Sequence, residues 1–134
     1  MATVSTQVNK KYIDLDLNFS RHPIRKDINK TTDSMAVINA IKNLVLTKHY
    51  ERPFQPDIGS NVQALLFENM DKITASALER EIREVITNFE PRARISKLIV
   101  TPNFDNNEYS VSMEFYILSR TEPITITFTL NRVR

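Results

Sequence analysis

The chain of 134 residues contains no cysteine and a single glycine, Gly59. The lack of cysteine excludes disulfide bonds, thiolate zinc sites and a cysteine nucleophile. Phosphate-binding loops and dinucleotide-binding turns need two or three glycines so that the backbone can approach a phosphate. One glycine cannot build such a loop, so the common nucleotide-binding sites are excluded as well.

The sequence also lacks a long apolar run and an excess of either charge. No stretch approaches the ~20 apolar residues that cross a bilayer, and the polar N-terminus has no signal-peptide core. The net charge is +2, with acids and bases interleaved, so neither a nucleic acid nor a membrane is an indicated partner. We expect a flexible N-terminal segment over 1–11 and a single domain over 12–134, made in a cytoplasm.

Catalytic chemistry finds little support among the polar residues. His22 and His49 are too few for a metal site without cysteines. Asp14 and Asp16 resemble a glycosidase carboxylate pair, but they alternate with apolar residues and fit a solvated strand face better. Glu90 is followed by arginines that favour its ionised form, the opposite of what a general acid needs. The sequence therefore predicts no catalytic residue, no metal site, no cofactor and no small-molecule substrate.

Apolar periodicity predicts three helices. The first begins at Thr32 or Asp33 and ends near Leu46. The second is short and begins at a capping box formed by Ser60 and Gln63. The third covers residues 74–89, and its inward-facing residues are Leu78, Ile82, Val85, Ile86 and Phe89.

Strand patterns lie on either side of this helical part. Alternating apolar residues predict a short, half-buried strand near the N-terminus: Ile13, Leu15, Leu17 and Phe19. After the third helix the period changes to two, with strands over 95–101, 109–118 and 124–130 and a turn over 105–107. The expected fold class is α+β, with a three-helix layer packed on a short antiparallel sheet.

The junction Glu90-Pro91-Arg92 combines charge and rigidity at the end of the third helix. An acid at the negative end of a helix dipole costs roughly 0.3–1 kcal/mol unless a cation compensates. Pro91 fixes the direction of the chain, and Arg92 offers a planar fork for a carboxylate. The motif is suited to docking, with Arg92 reaching either inward to Glu90 or outward to another chain.

Arg52-Pro53-Phe54 repeats this chemistry in a proline-rich loop. Two interpretations are equally supported: Arg52 forms an internal salt bridge with Glu90, or both motifs face a partner.

The strand over 124–130 is a further interaction candidate. At a sheet edge its backbone would accept a partner strand, and at the centre of a sheet it would be satisfied internally. Its residues are Ile124, Thr125, Ile126, Thr127, Phe128, Thr129 and Leu130.

The chain resembles the gene-25-like baseplate wedge family of contractile-tailed phages, which includes the related type VI secretion baseplate subunit. The resemblance covers roughly residues 12–118. It is carried by four separated blocks, in order: Arg52-Pro53-Phe54, Pro56 through Gly59, Leu66 through Met70, and Glu90-Pro91-Arg92.

This resemblance implies a structural subunit of the virion tail baseplate, folded like part of the tail-sheath subunit. It implies that Glu90, Pro91 and Arg92, together with the Arg52-Pro53-Phe54 loop, anchor a core bundle with two larger wedge proteins. The strand over 124–130 would face the sheath and initiate its polymerisation. Two alternatives remain: a lysozyme-like peptidoglycan hydrolase of the baseplate, and the equivalent subunit of a bacterial secretion or injection machine.

Overall fold

The structure, a computed structural model, describes residues 12–16 and 18–132. Its elements confirm a mixed α+β fold with antiparallel sheets, and the predicted flexible segment 1–11 lies outside the described residues. In chain order the elements are β1 (Ile13–Leu15), β2 (Lys30–Thr32), α1 (Ser34–Leu46), α2 (Val62–Leu65), α3 (Lys72–Phe89), β3 (Ala93–Asn103), β4 (Glu108–Ile117) and β5 (Pro123–Asn131).

The main sheet has three antiparallel strands in the order β3-β4-β5. Its central strand alternates as predicted, because one face packs on the helices while the other faces solvent. The buried residues of β4 are Tyr109, Val111, Met113, Phe115 and Ile117. They meet the buried stripes of α1 and α3 in one core.

The inward face of α3 is the predicted one except at its last residue. Leu78, Ile82, Val85 and Ile86 are buried, whereas Phe89 is 37% exposed. The helix ends at Phe89 and the chain then turns inward, so that the next residue takes the buried position instead.

The predicted capping box is wrong. α2 is a single turn of 4 residues with no side-chain cap. The Ser60 hydroxyl donates to the carbonyl of Val45 at 2.6 Å, and Gln63 Nε2 donates to that of Leu46 at 3.1 Å. Both side chains therefore satisfy unpaired carbonyls at the C-terminal end of α1, and the helical layer consists of two long helices and one turn.

The N-terminal strand forms, but its predicted burial is wrong. β1 pairs only with β2, and Ile13 and Leu15 are more than half exposed, as is Phe19. A two-stranded ribbon has no second layer to cover its apolar side chains, which explains the difference. Leu17 lies outside the described residues.

Gly59 lies where the chain passes close to the end of α1. A Cβ atom at this position would lie 2.6 Å from the carbonyl carbon and oxygen of Lys48. We expect Gly59→Ala to lower the free energy of unfolding by about 1–3 kcal/mol, because backbone atoms must shift to make room. Urea unfolding measures the change. The exposed control Ser76→Ala should change it by less than about 0.5 kcal/mol, and equal stability of Gly59→Ala and the parent would contradict the close approach.

Candidate docking surfaces

The corner after α3 is held by a bidentate ion pair. Glu90 is only 5% exposed. Arg92 donates from Nε to Oε1 of Glu90 at 2.6 Å and from Nη2 to Oε2 at 2.7 Å. The Glu90 backbone N–H donates to the carbonyl of Ile86 at 2.9 Å, which closes the last helical turn. Arg92, two residues further along the chain, thus supplies the cation that compensates the acid at the C-terminal end of α3.

Arg92 is engaged on a second side. Its guanidinium carbon lies 5.4 Å from the centre of the Tyr12 ring, a distance typical of a cation–π contact. Hydrogen bonding to Glu90 raises the pKa of Arg92 above its already high value, so the guanidinium stays protonated. The Arg92 carbonyl also accepts the N–H of Leu118 at 3.1 Å, which ties the corner to the end of β4.

The two alternatives for the corner can now be separated. Glu90 and Arg92 pair within the chain, and no ion pair between described residues joins Arg52 to Glu90. A partner can reach exposed Pro91 and the outer edge of Arg92, whose side chain is 27% exposed. Glu90 is not available to a partner directly, and it acts on this surface by orienting Arg92.

The loop that contains Arg52, Pro53 and Phe54 is exposed throughout. Phe54 is 97% exposed, an unusual position for an aromatic ring that has no partner. The loop is nevertheless ordered by hydrogen bonds, from the Tyr50 N–H to the Pro56 carbonyl at 2.9 Å and from the Lys48 N–H to a carboxylate oxygen of Glu51 at 2.8 Å. It presents Phe54 on a fixed backbone.

A concave surface of about 400 Å³ lies beside this loop and was not predicted from the sequence. Tyr50 and Phe67 contribute aromatic surface to it, together with Ala64 of α2. Tyr50, Ala64 and Phe67 belong to no single periodic helix or strand, so the apolar pattern of the sequence does not indicate that they share a surface. With two aromatic side chains, this concave surface is of the kind that binds partner side chains.

The position of β5 decides between the edge and central alternatives. Among the described residues, β5 pairs with β4 only, so it is an edge strand of this sheet. The Arg132 N–H donates to the carbonyl of Asn107, directly opposite, at 3.1 Å. In antiparallel strands, residue pairs that exchange backbone hydrogen bonds alternate with pairs that do not. The N–H and C=O groups of Ile126 and Phe128 therefore point toward β4, as the N–H of Arg132 does. Those of Thr125, Thr127 and Thr129 point to the open edge.

β3, at the other edge of the sheet, is protected from pairing with a further strand. β3 has a register irregularity between Ile95 and Lys97, and the same alternation points Pro102, which has no N–H, away from β4. Bulges, lysines and prolines are devices that protect an edge from pairing. From Ile124 to Asn131, β5 carries no proline and no charge, and its register with β4 is continuous. β5 is therefore the edge that remains open to another strand.

Other kinds of site are not formed by the described part of the chain. Within residues 12–16 and 18–132, no group of His, Asp or Glu side chains is placed to hold a metal ion. In the same residues, no helix combines the length and apolar character required to span a membrane.

Comparison with known proteins identifies the family of the chain. The sequence model of the family described as baseplate wedge protein gp25 matches residues 32–123. The chain belongs to this family. The matched span contains the Glu90 corner and the Phe54 loop, and it ends where β5 begins.

Relatives of this baseplate wedge family member resemble it over most of its length. Baseplate wedge protein gp25 of Enterobacteria phage T4 is 29% identical over 117 residues, which cover 87% of this chain and 88% of that protein. Two solved structures share the fold. A putative tail lysozyme from Geobacter sulfurreducens has a TM-score of 0.69 at 18% identity, covering 75% of this chain and 91% of that one. A chain of the anti-feeding prophage baseplate has a TM-score of 0.64 at 17% identity, covering 92% and 88%.

Proposed function

We propose that this baseplate wedge protein is a non-enzymatic assembly subunit of a contractile phage tail or a related injection particle. It joins the core bundle of two larger wedge proteins and provides the strand on which the first sheath ring begins. Its location is the tail baseplate. The observation that carries the sheath role is the open edge of β5, in a member of the baseplate wedge family.

The wedge contact is assigned to the corner and the exposed loop. Pro91 and the outer edge of Arg92 supply a rigid surface with one fixed positive charge, and Glu90 holds that charge in position from inside the domain. Arg52, Pro53 and Phe54 add a cation and an aromatic ring on an ordered loop. Buried aromatic and arginine side chains dominate the energetics of protein interfaces, and these two motifs supply both types.

The sheath contact is assigned to strand addition at β5. Thr125, Thr127 and Thr129 each offer one N–H and one carbonyl to an incoming strand. On the inner face, Ile124, Ile126 and Phe128 are only partly buried, so an added strand with apolar residues there would complete their burial. Backbone pairing supplies affinity in this mode, and the side-chain pockets supply specificity.

A hydrolase role receives no support from the geometry. Both carboxylate oxygens of Glu90 accept hydrogen bonds from Arg92, and 6% of the side chain is exposed. A general acid must present its proton to the substrate, which this arrangement prevents. We expect the purified chain to produce no clearing in a peptidoglycan zymogram. Clearing that disappears in Glu90→Gln would contradict the proposal.

Assembly in the absence of the chain tests the proposed function directly. Baseplates prepared without this subunit should carry naked tubes, because the sheath lacks its first strand partner. The measurement is the fraction of tubes with sheath in negative-stain electron micrographs. Addition of the purified chain to the wedge proteins should restore sheath, whereas sheathed tails that form without it would overturn the role.

A further inference from the structure

The ribbon formed by β1, β2 and the loop between them carries an unusual amount of exposed apolar surface. Five large apolar side chains between residues 13 and 28 are exposed, from 40% at Ile28 to 84% at Ile24. The others are Ile13, Leu15 and Phe19. Clusters of this kind mark interaction sites more often than chance exposure.

Unpaired cations accompany these apolar side chains. The basic residues of the ribbon form no ion pair with any described residue: Arg21, Arg25, Lys26 and Lys30. The acids of the ribbon are engaged locally, since Asp14, Asp16 and Asp27 each accept a backbone N–H from one or two residues further along. The ribbon carries four cations and three acids, a net charge of +1, and only the cations lack a partner among the described residues.

Apolar and cationic groups meet in one concave surface. Its volume is about 530 Å³, and its lining includes Ile13 and Ile28, the cations Arg25 and Lys30, and one acid, Asp27, which accepts the N–H of Ile28 at 2.8 Å. An occupant that fits must place aliphatic groups against the two isoleucines and carboxylates against the two cations. An amphipathic helix with an apolar stripe flanked by acidic residues has this arrangement.

We infer that the ribbon, residues 12–16 and 18–32, docks an acidic amphipathic helix of another protein chain. An extended anionic membrane fits less well, because the surface is concave. The ribbon is joined to the domain beside the corner. The Asp33 N–H donates to the carbonyl of Tyr12 at 2.7 Å, and the Tyr12 ring stacks on Arg92. This surface is separate from the open edge of β5 and goes beyond the wedge and sheath roles.

Two synthetic peptides test the inference on the full chain alone, independently of baseplate assembly. Both have about five helical turns with leucines at helical spacing, and the remaining positions are glutamate in one and lysine in the other. Fluorescence anisotropy should show binding of the glutamate peptide only. Arg25→Glu combined with Lys30→Glu should weaken it about tenfold, which corresponds to the loss of two surface charge pairs.

Matched controls make the result specific. Lys42→Glu combined with Arg80→Glu changes the net charge equally at exposed positions outside the ribbon and should leave binding unchanged. No binding of the glutamate peptide, or equal weakening by both double variants, would overturn the inference. Stronger binding to phosphatidylserine vesicles than to the peptide would assign the surface to a membrane. Self-association in analytical ultracentrifugation that Ile28→Ser abolishes would assign it to a second copy, and either result rejects the acidic helix.

Discussion

Replacement of Arg92 by alanine is expected to lower the free energy of unfolding by about 3 kcal/mol. This substitution leaves the buried carboxylate of Glu90 without its cation and without two hydrogen bonds. Removal of one partner of a buried pair costs about 3–5 kcal/mol, and the partial exposure of Arg92 places the effect at the lower end. Urea unfolding followed by circular dichroism measures the difference.

The matched variant Glu90→Gln should cost less, about 1–2 kcal/mol. It removes the buried charge, and the remaining arginine is exposed enough to be hydrated. The double variant Glu90→Gln with Arg92→Ala should therefore be more stable than Arg92→Ala alone. Simple addition of the two single effects would contradict the buried-pair interpretation. Arg94→Ala, an exposed neighbour, controls for the general loss of an arginine.

This result bears on how the corner is used in assembly. If Glu90 served only as a contact for the wedge proteins, its substitution would leave the isolated chain as stable as before. The internal pair predicts instead that Glu90 variants are impaired in both folding and assembly, because the orientation of Arg92 depends on the carboxylate. Pro91→Ala separates the two effects. It removes exposed surface without disturbing the pair, so it should weaken wedge association more than it lowers stability.

The main elements of the fold could be predicted from local periodicity. The alternation from Tyr109 to Ile117 and the stripe from Leu78 to Ile86 reflect burial on one face, which leaves a direct trace in the sequence. The capping box could not be distinguished from its alternative. Ser60 and Gln63 have the right spacing for a cap, but their hydrogen bonds go to the end of α1, a contact that depends on tertiary structure.

The candidate docking surfaces could be predicted only in part, because they too depend on contacts between residues that are distant in sequence. Residue types at Glu90, Arg92 and Phe54 indicated docking chemistry. Whether Arg92 turns inward to Glu90 was not decided by the sequence, because the folded corner also places the guanidinium against the ring of Tyr12, which is distant in sequence. The period of two around Ile13 predicted a strand correctly and its burial wrongly. Periodicity reports which residues share a face, whereas burial requires a second layer, and no described residue covers Ile13 and Leu15. Edge or central placement of β5 was likewise undecided until strand order was known.

Thr127→Pro is expected to abolish sheath initiation while leaving the chain folded. The N–H of Thr127 points to the open edge, so its loss removes no bond to β4 and proline is tolerated there. Pro123, the first residue of the same strand, already occupies a position of this parity. An incoming strand, however, loses a central donor and meets the proline ring. Thr127→Pro baseplates should thus contain the subunit at the normal level and carry naked tubes.

Ile126→Pro is the matched control, one residue away on the same strand. Its N–H points toward β4, opposite Met113, so the substitution removes an internal bond and should lower the free energy of unfolding by about 1–3 kcal/mol. Thr127→Val retains the N–H and should support sheath assembly. The readouts are thermal unfolding of the isolated chain, subunit content of purified baseplates and the sheathed fraction in micrographs. Normal sheath on Thr127→Pro baseplates would show that the platform is elsewhere, because only the open edge of β5 is altered in this variant.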